Sequence, residues 1–193
     1  MASNNDQIAQ NFPFHVMAKP RGAICNLKCD YCFYLKKEAL YPASDFRMDD
    51  TVLETFIKDY IETQETSEIT FAWQGGEPTL MGLDFYKKVI TLQDKHNTKN
   101  QKILNAFQTN ATLITEEWAN FFKVNNFLLG ISIDGPQKLH DRYRLDKKEE
   151  GTFQKVKEKL DIIKEYQVDY NILACVNSAN ANFPLDVYQF FRD

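Results

Sequence analysis

The stretch Ala23-Ile24-Cys25-Asn26-Leu27-Lys28-Cys29-Asp30-Tyr31-Cys32-Phe33-Tyr34 carries three of the chain's four cysteines at a Cys-x3-Cys-x2-Cys spacing. A disulfide among three clustered thiols always leaves one over, and three thiolates are one short of a closed tetrahedral metal site. The set suits an iron–sulfur cubane in which three irons are held by protein and the fourth stays open to a small molecule. A zinc knuckle and three unrelated thiols are the alternatives that spacing leaves open. Cys175 lies far away in the apolar run Ile172-Leu173-Ala174-Cys175-Val176 and reads as a buried, inert thiol.

Upstream of the cysteines, Phe14 to Lys19 reads as a first strand stopped by Pro20, with His15 a packed histidine inside it. Residues 1–13 read as a polar, flexible lead. Downstream, Phe33 to Ala39 predicts a short helix and residues 40–48 a loop with Pro42 and Ser44. Asp49 or Asp50 then caps a helix whose Val52, Leu53, Phe56, Ile57, Tyr60 and Ile61 form a core-facing stripe. Glu68 to Gln74 is a second strand running into Gly75-Gly76-Glu77-Pro78, and Asp84 to Asn97 a helix. Lys102 to Gln108 is a third strand ending at Thr109-Asn110, followed by a helix from Thr115 to Val124 with an acidic first turn. Phe127 to Ile133 is a fourth strand ending at Asp134-Gly135-Pro136, and residues 137–150 are a charged loop with His140, Arg142 and Arg144. Gly151 to Tyr166 is a helix, Asp169 to Val176 a fifth strand, and Pro184 to Phe191 the start of another helix.

Strands alternating with helices in this way predict a parallel α/β sheet or barrel with right-handed connections. In such folds the working loops follow the C-terminal ends of the strands. The cysteine loop, Gly-Gly-Glu-Pro, Thr-Asn and Ser-x-Asp-Gly all fall at such ends, so the motifs converge on one rim.

Composition narrows the class. The 193 residues are enough for one domain with a sizeable core, and 44% hydrophobic with 26% charged residues is ordinary for a globular protein. A net charge of −4 gives no basic footprint for nucleic acid. No apolar run approaches the ~18 residues that span a bilayer, and the N-terminus lacks the pattern of a secretory signal. The expected location is cytoplasmic and reducing, which suits thiols that must stay reduced to hold iron.

Cys25-x3-Cys29-x-Tyr31-Cys32 resembles the signature of the radical S-adenosylmethionine (radical SAM) enzymes, and Gly75-Gly76-Glu77-Pro78 resembles that family's Gly-Gly-Glu-Pro motif. The resemblance implies a partial (β/α)6 radical SAM barrel of about five βα units. It implies a [4Fe-4S] cluster on Cys25, Cys29 and Cys32, whose open iron takes the amino and carboxylate groups of S-adenosyl-L-methionine (SAM). One electron from the reduced cluster then cleaves the C5′–S bond to a 5′-deoxyadenosyl radical. By the same resemblance the carbonyls of Gly75 and Gly76, with Glu77, accept from the SAM ammonium. Ser132 offers its hydroxyl to carboxylate or ribose, and Tyr31 lies against the adenine. Thr109 and Asn110 contact ribose or substrate. Arg144 rather than Arg142 is assigned to the SAM carboxylate, since guanidinium presents a matching donor fork. A plain strand-to-helix turn at Gly75-Gly76 and a solvated Arg144 are the alternatives that the residues alone leave open.

Within that family, Cys-Asn-Leu-Lys-Cys-x-Tyr-Cys-Phe-Tyr at 25–34, Phe-Ala-Trp-Gln-Gly-Gly-Glu-Pro-Thr-Leu at 71–80, Gln-Thr-Asn at 108–110, Gly-Ile-Ser-Ile-Asp-Gly-Pro at 130–136 and Asn-Ile-Leu at 171–173 resemble the anaerobic sulfatase-maturating enzymes. Those enzymes oxidise a cysteine or serine of a sulfatase to Cα-formylglycine. The resemblance implies a sulfatase precursor peptide as substrate, met by Tyr34 and Gln74, and reduced flavodoxin or ferredoxin as electron donor. It also implies a C-terminal cysteine-rich region with further clusters and a carboxylate base, neither of which is in this sequence. The expectation is thus a radical SAM core over 14–193, incomplete for full activity and without the auxiliary cluster domain. Another radical SAM peptide maturase and a non-catalytic iron–sulfur or zinc module remain alternatives.

Overall fold

The structure is a computed structural model that describes residues 13–42 and 45–192. The N-terminal lead up to residue 12 and Ser44 of the predicted loop lie outside the described residues. Five parallel strands, β1 (Met17–Ala18), β2 (Glu68–Trp73), β3 (Lys102–Thr109), β4 (Phe127–Ser132) and β5 (Tyr170–Leu173), form one sheet in sequence order. Between them come the helices α1 (Asp50–Thr63), α2 (Leu83–His96), α3 (Glu116–Val124), the short α4 (Gln137–His140) and α5 (Phe153–Glu165); α6 (Pro184–Arg192) follows β5. The order matches the alternation in the sequence. Strand ends are shorter than predicted at β1 and β5, and the helix after the cysteines is a 3-10 turn over Leu35–Leu40.

Local chemistry explains the helix starts. Asp49 caps α1 by accepting from the Val52 amide at 2.8 Å, and Thr115 caps α3 by accepting from the Trp118 amide at 3.4 Å. Along β2 every second residue, Ile69, Phe71 and Trp73, is buried under the helices. Phe107 of β3 and Phe127, Leu129 and Ile131 of β4 continue that layer. Leu53 and Ile57 of α1, Tyr86 and Val89 of α2, and Trp118 and Phe122 of α3 close it from the other side. A polar cluster in this core is satisfied internally: Trp73 Nε1 donates to Asn105 Oδ1 at 2.8 Å, and Asn105 and Gln93 exchange two 3.0 Å bonds.

The opposite face of the sheet carries the alternate residues, which include leucines but are mostly smaller or polar toward the C-terminal ends of β2, β3 and β4, and are only partly covered. Thr70 and Ala72 of β2, Ala106 and Gln108 of β3 and Gly130 of β4 lie there, with Gln74 just past the end of β2. Side chains on this face at the C-terminal end of the strands therefore point at common ground, and the unusual motifs gather around it.

Candidate active site

A cleft of about 260 Å³ opens at that end of the sheet, lined among others by Cys25, Cys29, Cys32, Gly75, Ser132 and Arg144. Tyr31, Tyr34, Gln74, Gly76, Thr109 and Asn110 stand in the same wall, which leaves Glu77 as the sequence-predicted site residue outside it. A larger and more open groove of about 710 Å³ lies elsewhere, at the N-termini of α1 and α2. Its charges are exposed and in part paired with each other, as in the Lys88–Asp50 bridge, and it holds none of the predicted site residues.

The cysteine loop is fastened to the end of β2 by backbone bonds. Gln74 N–H donates to Ala18 O, Gly76 N–H to Gly22 O and Glu77 N–H to Ile24 O, all at 2.8–2.9 Å. This explains the two glycines. Gly75 has φ +136°, a left-handed conformation open to glycine, and a Cβ on Gly76 would stand 2.1 Å from Ile24 O. The close approach is thus to the cysteine loop's own backbone, a reason that the expectation of ligand contact did not include.

Glu77 also differs from its expected place. It is fully buried and absent from the cleft wall. Its Oε1 accepts from the Thr79 amide (3.0 Å), Thr79 Oγ1 (2.7 Å) and Thr109 Oγ1 (2.8 Å), and its Oε2 from the Asn110 amide (2.8 Å). Burial pushes its carboxyl up, against the pull of these donors. Through these bonds it clamps the β2 and β3 loops together.

Arg144 and Arg142 separate cleanly. Arg144 is buried in the cleft wall, with Nε 3.0 Å from Asp134 Oδ2 and its guanidinium 5.5 Å from the Tyr31 ring centre, whereas Arg142 lies over Tyr143. The Nε contact is an ion pair without hydrogen-bond alignment, so a buried donor is left over. Asp134, fully buried, also accepts the Tyr31 hydroxyl at 2.6 Å and the Cys175 amide at 3.0 Å. Burial pushes the Tyr31 phenol above its ordinary range; Arg144 opposes this and the hydrogen bond to Asp134 adds to it. Asn180 Nδ2 donates to Asp134 O at 3.2 Å. Asp134 thus joins the cysteine loop, the Arg144 loop and the end of β5.

Cys175 is a correction to the sequence expectation. It is exposed and stands on the cleft rim. The apolar run that suggested a core strand ends at Leu173, beyond which the chain turns out through bonds from Asn177 and Asn180 to the Cys175 carbonyl. Lys19, Gln108, Asp134 and Asn180 went unnoticed in the sequence. Lys19 Nζ donates to Gln74 Oε1 at 3.1 Å and sits 4.6 Å over the Tyr34 ring, with its ammonium pKa lowered by burial. Gln74 is in turn bonded to Gln108. The Ser-x-Asp-Gly motif was the available signal for Asp134; a lone lysine before Pro20 offered none.

All four cysteines are free. Burial pushes the Cys25 thiol up to about 11 and Cys29 up to about 12, so metal binding here must displace protons. Among the described residues no group of three His, Cys, Asp or Glu side chains is placed to hold a single metal ion. The three thiols instead stand along the wall of one cleft, which suits a larger inorganic group. The Arg144 guanidinium in the same wall, with only its Nε edge turned to Asp134, suits an anionic ligand.

Residues 20–180 match the family model of the Radical SAM superfamily. The chain belongs to that superfamily. Among its relatives, the serine-type anaerobic sulfatase-maturating enzyme of Bacteroides thetaiotaomicron is 46% identical over 182 residues, spanning 94% of this chain and 44% of its own length. The cysteine-type enzyme of Clostridium perfringens is 43% identical over 188 residues, spanning 94% of this chain and 49% of its own. A solved structure of native anSMEcpe with bound AdoMet and Cp18Cys peptide superposes with a TM-score of 0.85 at 43% identity, covering 93% of this chain and 48% of that one. This radical SAM chain therefore spans about half the length of the curated relatives it matches. The five-stranded parallel sheet is the fold expected from the motifs. No helix among the described residues is long and apolar enough to cross a membrane.

Proposed function

We propose that this chain is the cluster- and SAM-binding part of an anaerobic sulfatase-maturating enzyme, which oxidises a cysteine or serine of a sulfatase precursor to Cα-formylglycine. The observation that carries this reading is the convergence of three free thiols with Gly75, Gly76, Ser132 and Arg144 on one cleft. The names of the similar proteins support the substrate class. Cys25, Cys29 and Cys32 would hold a [4Fe-4S] cluster as thiolates, with SAM beside it. Together, when bound and reduced, these groups supply a 5′-deoxyadenosyl radical able to take a Cβ hydrogen from the target side chain.

The chain's residues bind and orient. Asp134 holds one edge of the Arg144 guanidinium, and the rest of the fork serves the SAM carboxylate. Ser132 borders the same cleft and offers its hydroxyl to carboxylate or ribose, while the Thr109 hydroxyl is spent on Glu77 and shapes the wall. Tyr31, fixed by Asp134, walls the cleft toward the adenine. Tyr34 and Gln74, held by Lys19, form the side that receives the sulfatase peptide. Reduced flavodoxin or ferredoxin supplies the electron, and the need for reduced thiols places the protein in the cytoplasm.

The test is anaerobic reconstitution with iron and sulfide, reduction with dithionite, addition of SAM and chromatography for 5′-deoxyadenosine, beside Cys29→Ala. The expected result is deoxyadenosine from the parent chain and none from the variant. A bound cluster that yields no deoxyadenosine would sink the reading. Cysteine and serine forms of a sulfatase peptide, followed by the mass change to formylglycine, then test the substrate class.

A further inference from the structure

The sulfur of Cys25 is treated differently from its two neighbours. It accepts from the Leu27 amide at 3.3 Å and from Asn110 Nδ2 at 3.7 Å. No hydrogen bond of the described residues reaches the sulfur of Cys29 or Cys32 in this way; Cys29 instead feels the charge of Arg144.

The direction in which Asn110 points is forced. The Thr112 amide, which can only donate, lies 3.0 Å from Asn110 Oδ1. The amide oxygen therefore faces Thr112 and the amide nitrogen faces Cys25. A closed ring of bonds holds it there. Thr112 Oγ1 donates to Asn110 Oδ1 at 2.7 Å, Asn26 Nδ2 donates to Thr112 Oγ1 at 2.8 Å, and Asn110 Nδ2 donates to Asn26 Oδ1 at 2.9 Å. Below the ring, buried Glu77 holds the Asn110 backbone. Asn26 sits inside the cysteine loop and Asn110 at the end of β3, so the ring couples two separate elements at a single sulfur.

We propose that Asn110 is a positioning residue that raises the reduction potential of the cluster through its bond to Cys25. This rests on the reading that the three cysteines hold a [4Fe-4S] cluster. An N–H dipole aimed at a ligand sulfur stabilises the extra negative charge of the reduced state, and such bonds are among the protein's levers on cluster potential. The Leu27 amide belongs to the backbone and is fixed by the loop; the Asn110 bond comes from a side chain and is the adjustable one.

The experiment is a mediator titration of the reconstituted chain under argon, followed by the electron paramagnetic resonance signal of the reduced cluster, with iron and sulfide counted per chain. Asn110→Ala removes the donor. Asn110→Asp keeps the shape and the bonds from Thr112 but replaces the donor by an acceptor. The expected result is four irons in all three proteins and midpoints that fall in the order parent, N110A, N110D. A loaded variant at the parent's potential overturns the proposal, and so does failure of both variants to load, which would make Asn110 part of the loop's scaffold only. A parent chain that binds no four-iron cluster would instead sink the functional reading itself, and this proposal with it.

Discussion

Between β2 and β4 the helix-facing side of the sheet holds Phe71, Trp73, Phe107 and Phe127, all nearly inaccessible to water, whereas Ile172 of β5 and Phe190 of α6 are only partly buried and Leu185 and Tyr188 of α6 lie open. α6 buries none of its residues. The two regions differ in how they serve the cleft. The cysteine loop hangs on β2 by backbone bonds, and Glu77 binds the β2 and β3 loops together from a position shut off from solvent. The chain after β5 reaches the cleft through Cys175, and both Cys175 and Asn180 behind it are tied to Asp134. Most of the cleft wall is thus anchored in the well-packed part of the sheet, and Asp134 is the bridge to the loosely covered part.

The contrast is broken most directly by truncating one side chain in each region. Phe107→Ala is expected to cost about 3–5 kcal/mol of unfolding free energy, because Phe107 packs against Tyr86, Trp118, Phe122 and Phe127. Tyr188→Ala, on the open face of α6, should stay within about 0.5 kcal/mol. Urea midpoints measure both, and equal losses would erase the distinction. Asp134→Ala tests the bridge. It strands a buried arginine and should cost about 3–5 kcal/mol, together with weaker SAM binding by calorimetry; retention of SAM affinity would show that Arg144 holds its place unaided.

A smaller effect comes from His140. It is buried, with Nε2 3.1 Å from Thr152 Oγ1 and Nδ1 facing the Asp134 amide at 3.4 Å. Desolvation, helped by Arg144, lowers its pKa from 6.5 to about 4. The unfolded chain therefore binds the proton first as pH falls. The contribution is intact above about pH 6.5 and drains away toward pH 4, by roughly 3 kcal/mol at most. Urea midpoints of the parent chain should fall across that window, and those of His140→Gln should fall less. Identical pH slopes would rule the histidine out as the source.

The alternation of strands and helices was plain in the sequence because hydrophobic period and turn residues agreed along the chain. The three thiols and Ser132 were legible for the same reason, as each sits in a short motif at a strand end, whereas Arg144 lies in a charged loop beyond α4 and was singled out from Arg142 only by the family resemblance. The burial of Glu77 was not legible because a motif gives the position of a side chain without its direction, and the setting of its carboxylate is a product of Thr79, Thr109 and Asn110 arriving from two loops. Cys175 misled because four apolar neighbours signal a core strand only if the strand continues, and here the chain turns out after Leu173. Lys19 comes to the cleft and Asn180 to Asp134 only through tertiary contacts, and no local pattern marks them.

The backbone seam between residues 18–24 and 74–77 has a consequence for where the cysteines stand. Its bonds, the glycine fit and the Asn26–Asn110–Thr112 ring pin the cysteine loop to the sheet without using a cysteine side chain. A Cβ at Gly76 would press on Ile24 O, so the spacing of the three sulfurs is set in part by a residue about fifty positions away that bears no functional group.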